Sequence, residues 1–295
     1  MYNEDKTKWY IKDDYVDVFK NERGNYIIGG SNRKHYIDEV KCTPDIMEHL
    51  WVEKRRSKEL PYHGLDDPKH CKKDLEEFMQ WPDGDKISYA FNSRGFRDED
   101  WPETMEEMRK AIWFVGDSFT MGMGLAYDDA YKRAMEKATG RRVIDISLDG
   151  TWPSWRRRIA LKITREIQPE LIFVHWGYIW RYKRKYRTLA KQVRDTIFQN
   201  QEQSAIDKFI ITFKTLWDEP KGQTVIINNF LPSFAGLQKS QDHIYSELQK
   251  FTGIESPYIN WENKQLDTGR DGWHWGVETV NKYVENNLKK MQEIG

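Results

Sequence analysis

From residue 111 to the C-terminus, short apolar runs alternate with longer amphipathic segments, and this alternation limits the fold more than any single motif does. AIWFVG (111–116), RVIDIS (142–147), ELIFVHWG (170–177), TVIINNF (224–230) and PYINW (257–261) read as strands. Their apolar stretches are continuous, which suits parallel strands covered on both faces. Helical segments lie between them. YDDAYKRAMEKATG ends on a C-cap glycine, Gly140, and PSWRRRIALKITREIQ opens on Pro153. A long segment runs from about Tyr186 to Trp217, and SQDHIYSELQKFTG precedes the last strand. The final segment, GVETVNKYVENNLKKMQ, sets Val277, Val280, Val284, Leu288 and Met291 on one helical face. Strand and helix in repetition predict βαβ units with right-handed crossovers, hence an α/β fold: a three-layer sandwich around a mainly parallel five-stranded sheet.

Residues 1–87 break this rhythm. VDVFKNERGNYIIGG suggests a hairpin and HCKKDLEEFMQW a short helix, but charge is dense and apolar periodicity weak. They are read as an appended region packed against a domain spanning 88–295. A chain of 295 residues is long enough for one large core with such an appendage. Lys and Arg number 47, as do Asp and Glu, so the overall charge gives nucleic acid no purchase. Cys42 and Cys71 form neither a disulfide framework nor a metal-spaced cluster, which favours a reduced, structural reading. No run approaches the length of a membrane span. The first residues are charged where a signal peptide needs an apolar core, so a cytoplasmic setting is expected, with virion association or another export route left open.

Chemistry enters at IWFVGDSFTMGMG (112–124), where a strand ends in Gly116-Asp117-Ser118. Ligands of an open parallel sheet bind outside the carboxyl ends of its strands, so Ser118 lands on that edge. A helix following it would offer N–H groups to a developing oxyanion. The GxSxG elbow of α/β-hydrolases is absent, because position 120 is threonine, and the GxG at 122–124 is too weak for a dinucleotide fingerprint. A serine nucleophile needs a base and a group to orient that base. DTGRDGWHWGVETV supplies both, with Asp271 and His274 three residues apart before the last helix. The bland alternative, in which Ser118 caps a helix, Asp271 caps a turn and His274 lies on the surface, stands beside it.

Taken together, GDSFTMGMG and DGWH resemble the first and last blocks of the SGNH/GDSL hydrolase superfamily. FNSRGFRDED, IDISLDGTWPSWRR and QPELIFVHWG resemble further segments of a bacterial and phage subgroup. The resemblance implies a flavodoxin-like sheet and a Ser-His-Asp triad of Ser118, His274 and Asp271. It also implies an oxyanion hole that includes the N–H groups of Ser118 and Gly150. It departs at the third block, where the family has Gly-x-Asn-Asp and this chain has GYIW, with Ile179 in the asparagine's place. Of the nearby replacements, His175 falls within a strand, whereas Tyr178 follows Gly177 at the edge and is the better donor.

The implied activity is hydrolysis of an acyl ester with no metal or organic cofactor, most simply deacetylation of a carbohydrate. An inactive binding protein on the same fold and an acyltransferase using the same triad are the alternatives. Substrate-binding candidates are Arg97, Trp180, Arg181 and Trp273. Arg97 is also read structurally, as the partner of a carboxylate beside an Asn92–Gly95 turn, and Asp117 as a brace of the serine turn. WRYKRKYRTLAKQVR (180–194) carries seven Lys or Arg and begins at the same edge, which suits an anionic substrate, unless it is a solvated helix face. Thirteen tryptophans invite sugar stacking, although core packing accounts for them equally well.

Overall fold

The computed structural model describes residues 50, 52, 55–70, 75–81, 84–151, 153–177, 209–218, 222–230, 238–253, 256–260 and 265–295, together with three N-terminal strands. Those strands, β1 (Lys8–Ile11), β2 (Val16–Lys20) and β3 (Tyr26–Gly29), form an antiparallel meander that contains the expected hairpin. There follow β4 (Glu59–Leu60), α1 (Leu75–Met79), β5 (Tyr89–Ala90) and α2 (Met105–Lys110).

The alternating part begins with β6 (Ile112–Val115), α3 (Tyr131–Thr139), β7 (Val143–Asp145), α4 (Pro153–Glu166) and β8 (Leu171–Trp176). It continues through α5 (209–218), β9 (Val225–Phe230), α6 (Gln238–Thr252), β10 (Ile259–Asn260) and α7 (Val277–Ile294).

The five strands β6 to β10 pair in parallel throughout, in the order β10-β9-β8-β6-β7. Numbered within the sheet this is 2-1-3-4-5, a doubly wound order whose strand direction of travel reverses between β6 and β8. The predicted five-stranded sheet is therefore the one that forms.

Alternation along each strand divides the core. Trp113 and Val115 face a layer built from Trp155, Ile159 and Ile163 of α4, Phe209 and Phe213 of α5, and Ile244 and Leu248 of α6. Ile112 and Phe114 face the opposite layer, with Tyr131 and Met135 of α3 and Val280, Tyr283 and Val284 of α7. Gly140 ends α3 at φ 66°, in the left-handed region that its place after the helix demanded. On α7 the expected face needs one correction. Val277 is 40% exposed because it lies in the first turn, ahead of the sheet contact, and the buried stripe runs instead through Val280, Tyr283, Val284 and Asn287.

The described residues between 50 and 97 are joined to this core. Leu50, Val52 and Phe96 belong to the first layer, and β4 pairs with β5 across the division read at residue 87. Asn92 makes the expected turn, its Oδ1 accepting the N–H groups of Arg94 and Phe96, and Gly95 takes φ +84° against the Val52 carbonyl. Among the described residues, no helix is long and apolar enough to cross a membrane.

His175 sits in β8 with its ring against Phe114, Tyr131 and Phe173, and neither ring nitrogen has a partner among the described residues. Burial pushes its pKa down to about 3, with Asp117 opposing and Arg156 adding to the shift. An imidazole kept neutral in the fold must be left behind by the proton that the unfolded chain accepts, so stability is lost as pH falls from about 6.5 towards 3. Between pH 7 and pH 4 this amounts to about 3 kcal/mol. Urea unfolding at the two pH values should show that component in the wild type and not in His175→Phe, which suits the aromatic cage. Equal losses in both proteins would contradict it.

Candidate active site

The switch point between β6 and β8 is where an open α/β sheet leaves a crevice at its carboxyl edge. Gly116-Asp117-Ser118 follows β6 there and Gly177 follows β8. A β-carbon on Gly177 would lie 2.5 Å from an Arg156 nitrogen and 2.7 Å from Asp117 Oδ2, so only glycine leaves room for the ion pair between them. In that pair an Arg156 nitrogen donates to Asp117 Oδ2 at 2.9 Å, while Asp117 Oδ1 accepts the Phe119 N–H at 3.1 Å. Asp117 thus braces the serine turn, as its position suggested.

No helix follows Ser118 directly. Residues 118–124 form a succession of turns, and α3 starts only at Tyr131. Gly122 and Gly124 explain this departure, since both take positive φ, at +77° and +83°. The N–H groups that follow Ser118 therefore come from a turn and not from a helix start.

His274 reaches this turn from 156 residues away. Its Nε2 lies 2.8 Å from Ser118 Oγ. Its Nδ1 is hydrogen-bonded to Asp271 Oδ2, and Asp271 Oδ1 accepts the N–H groups of Trp273 and His274, each at 3.0 Å. One carboxylate oxygen thus fixes the loop and the other faces the imidazole. Ser118, His274 and Asp271 are 5%, 2% and 1% exposed. Burial alone would raise the Asp271 carboxyl, but His274 and the two backbone donors outweigh it and hold its pKa below the usual range. The Phe119 ring packs on the imidazole, with centroids 4.6 Å apart.

The loop is held at both ends. Thr268 and Trp275 form an antiparallel bridge. Asp267 caps α7 from outside the helix, accepting from Glu278 N at 3.0 Å and Thr279 N at 2.8 Å, where the N-cap Gly276 has no side chain to offer. Glycines account for the close approach of the two loops. Arg270 N donates to the Gly124 carbonyl at 2.9 Å, and a β-carbon on Gly269 would lie 2.7 Å from that same oxygen. The GxG at 122–124, too weak to indicate a nucleotide, serves this approach.

The loop after β7 completes the edge. Thr151 Oγ1 donates to the Gly116 carbonyl at 3.0 Å, and Gly150 takes φ +73°. Among the described residues, the N–H groups of Ser118 and Gly150 donate to no acceptor.

A doubly wound 2-1-3-4-5 sheet thus carries a GDS turn on its first strand and a DxxH loop ahead of its last helix, with serine and histidine in hydrogen-bond contact. The order is that of an open, doubly wound α/β sheet. No family model matches the chain, and no curated protein matches it. Several solved structures are similar to it over part of the chain. TesA is 12% identical with a TM-score of 0.41, over 63% of this chain and 100% of that one. The psychrotrophic esterase EstA from Pseudoalteromonas sp. is 11% identical with a TM-score of 0.41, over 62% and 99%. A carbohydrate esterase family 2 enzyme with a carbohydrate binding domain, from Corynascus thermopiles, is 12% identical with a TM-score of 0.42, over 66% and 68%. At such identities and TM-scores the likeness carries nothing about activity over to this chain.

Of the remaining candidates, Arg97 is placed differently from expectation. Arg97 is buried, and its guanidinium donates to the carbonyls of Ser88, Met121, Gly122 and Leu125. It braces the turn behind Ser118, and its partners are carbonyls where a substrate or a carboxylate was expected. The carboxylate of that segment, Asp98, pairs instead with Lys132 at 2.6 Å. Of the tryptophans flanking His274, Trp275 is core and Trp273 is partly exposed. Trp101, Trp113, Trp155 and Trp176 are also core, so packing accounts for most described tryptophans. Tyr178, Ile179, Trp180, Arg181, the basic run to 194, Cys42 and Cys71 lie outside the described residues.

Proposed function

We propose that the chain is an SGNH-type serine esterase with Ser118 as nucleophile, His274 as general base and Asp271 as the carboxylate that orients it. The observation that carries this reading is the unbroken contact from Ser118 Oγ through the imidazole to Asp271. With Nδ1–H donating to Asp271, the neutral imidazole offers the Nε2 lone pair to the serine hydroxyl. Ser118 Oγ attacks the ester carbonyl as Nε2 takes its proton. The tetrahedral oxyanion is met by the N–H groups of Ser118 and Gly150. His274 then passes the proton to the departing alcohol, and a water, deprotonated at the same nitrogen, releases the acid and restores Ser118.

The preferred substrate class is an acetylated carbohydrate. Its support in this chain is Trp273, partly exposed and packed against the core in the same loop as Asp271 and His274, where a sugar ring would stack on its open side. Acetate release from a peracetylated oligosaccharide, measured beside p-nitrophenyl acetate hydrolysis, tests both levels. Release from both supports the full reading. Turnover of the nitrophenyl ester alone removes the carbohydrate, acetyl transfer to an added sugar replaces hydrolysis with transfer, and turnover of neither removes the esterase.

A further inference from the structure

The turn His63-Gly64-Leu65-Asp66 lies far from every motif that resembles a hydrolase, yet its two ends reach both loops of the candidate site. The turn is stiff. His63 N donates to Asp66 O at 3.1 Å, Asp66 N donates to His63 O at 3.0 Å, and Gly64 takes φ +65° between them.

At one end, Asp66 receives Arg270 in a two-point contact, Nε to Oδ1 at 2.9 Å and a terminal nitrogen to Oδ2 at 2.7 Å. Arg270 immediately precedes Asp271. The other terminal nitrogen of the same guanidinium donates to the Gly84 carbonyl at 2.7 Å. The Tyr89 hydroxyl donates to Asp66 Oδ2 at 2.6 Å and accepts the Gly124 N–H at 2.9 Å, which ties in the end of the serine turn. At the other end, His63 Nε2 lies 3.4 Å from Asp149 Oδ1, which Arg55 also holds at 2.7 Å. Asp149 immediately precedes Gly150. Asp66, Asp149, Arg270 and His63 are all buried.

Burial lowers the His63 pKa against the pull of Asp149, so the ring is neutral near pH 7 and donates one N–H. Burial would raise the Asp149 carboxyl, but Arg55 and His63 outweigh it and hold it well below its ordinary value.

We propose that this turn is a positioning strap, which sets the spacing of the Asp271–His274 loop through Asp66 and Arg270, and of the Gly150 loop through His63 and Asp149. The proposal rests on the esterase reading for its consequence in catalysis. A buried ion pair is seldom the most stable way to join two segments, since apolar side chains of like volume do as well. A planar guanidinium against a carboxylate, however, fixes both distance and angle, which apolar contact does not. Displacing catalytic groups by about 1 Å costs about 10²-fold in rate.

Two readouts test the strap. In wild type, the Nδ1–H of His274 held against Asp271 should give a far-downfield proton resonance, assigned by its disappearance in Asp271→Asn. Asp66→Asn and Arg270→Lys should broaden or lose that resonance in protein whose circular dichroism is unchanged. They should also lower kcat on p-nitrophenyl acetate by about 10- to 100-fold with KM within about twofold. Because the pair acts as one unit, the double variant should lose no more than either single one. On the other arm, His63→Leu should lower kcat and His63→Gln, which keeps a donor, should restore it. A folded Asp66→Asn or Arg270→Lys with the wild-type resonance and kcat overturns the proposal. If wild type turns over no ester, the esterase reading fails, and the resonance still decides whether the strap positions His274.

Discussion

Ser118→Ala should lower turnover of p-nitrophenyl acetate by about 10⁵- to 10⁶-fold, the loss typical when the nucleophile of an interdependent triad is removed. The change deletes one oxygen, whose hydrogen bond in the fold is to His274. The turn itself is held by Asp117 through Phe119 N and Arg156, and by the Met121 and Met123 N–H groups bonded to the carbonyls of Asp117 and Ser118. None of these contacts involves Oγ, so circular dichroism and the unfolding midpoint should be close to those of wild type. Steady-state rates on the purified pair check it. A Ser118→Ala protein as active as wild type would place the turnover at another group.

The second large effect is expected at Asp271. In Asp271→Asn the amide oxygen stays at the Oδ1 position, because two N–H donors, from Trp273 and His274, point at it. That puts the NH₂ group where Oδ2 now faces His274 Nδ1. Two donors cannot share that contact, so the imidazole must place its lone pair at Nδ1 and its proton at Nε2. The base then presents N–H to Ser118 instead of a lone pair. A loss of about 10⁴ in kcat follows, with KM little changed and the loop in place. A loss under about tenfold would mean that Asp271 does no more than hold the turn.

Much of this was legible because the strands are short, continuous apolar runs, and such runs place whatever follows them on the carboxyl edge. Ser118 could be located from that rule, whereas Gly150 came from the resemblance. The meeting of Ser118 with His274 depended on sheet order, which the resemblance implied and periodicity does not encode. Arg97 was misread for a physical reason. An arginine next to an acidic stretch suggests a carboxylate, but at the back of a glycine-containing turn the unsatisfied groups are carbonyls, and a guanidinium has donors enough for four.

The strap was invisible in the sequence. HGLDD has no apolar period, and Asp66 and Arg270 are 204 residues apart. The one local signal was the arginine standing immediately before DGWH. The backbone contact that Gly124 and Gly269 permit needed the fold.

The account turns on Ser118 being an activated nucleophile, and covalent capture measures that most directly. Purified protein should be treated with a fluorophosphonate probe at neutral pH, digested, and its peptides mapped by mass. The account predicts one adduct per chain, on the Ser118 oxygen, formed far more slowly in Asp271→Asn and not at all in Ser118→Ala. An unlabelled wild-type chain, or an adduct on another residue with Ser118 unmodified, would contradict it.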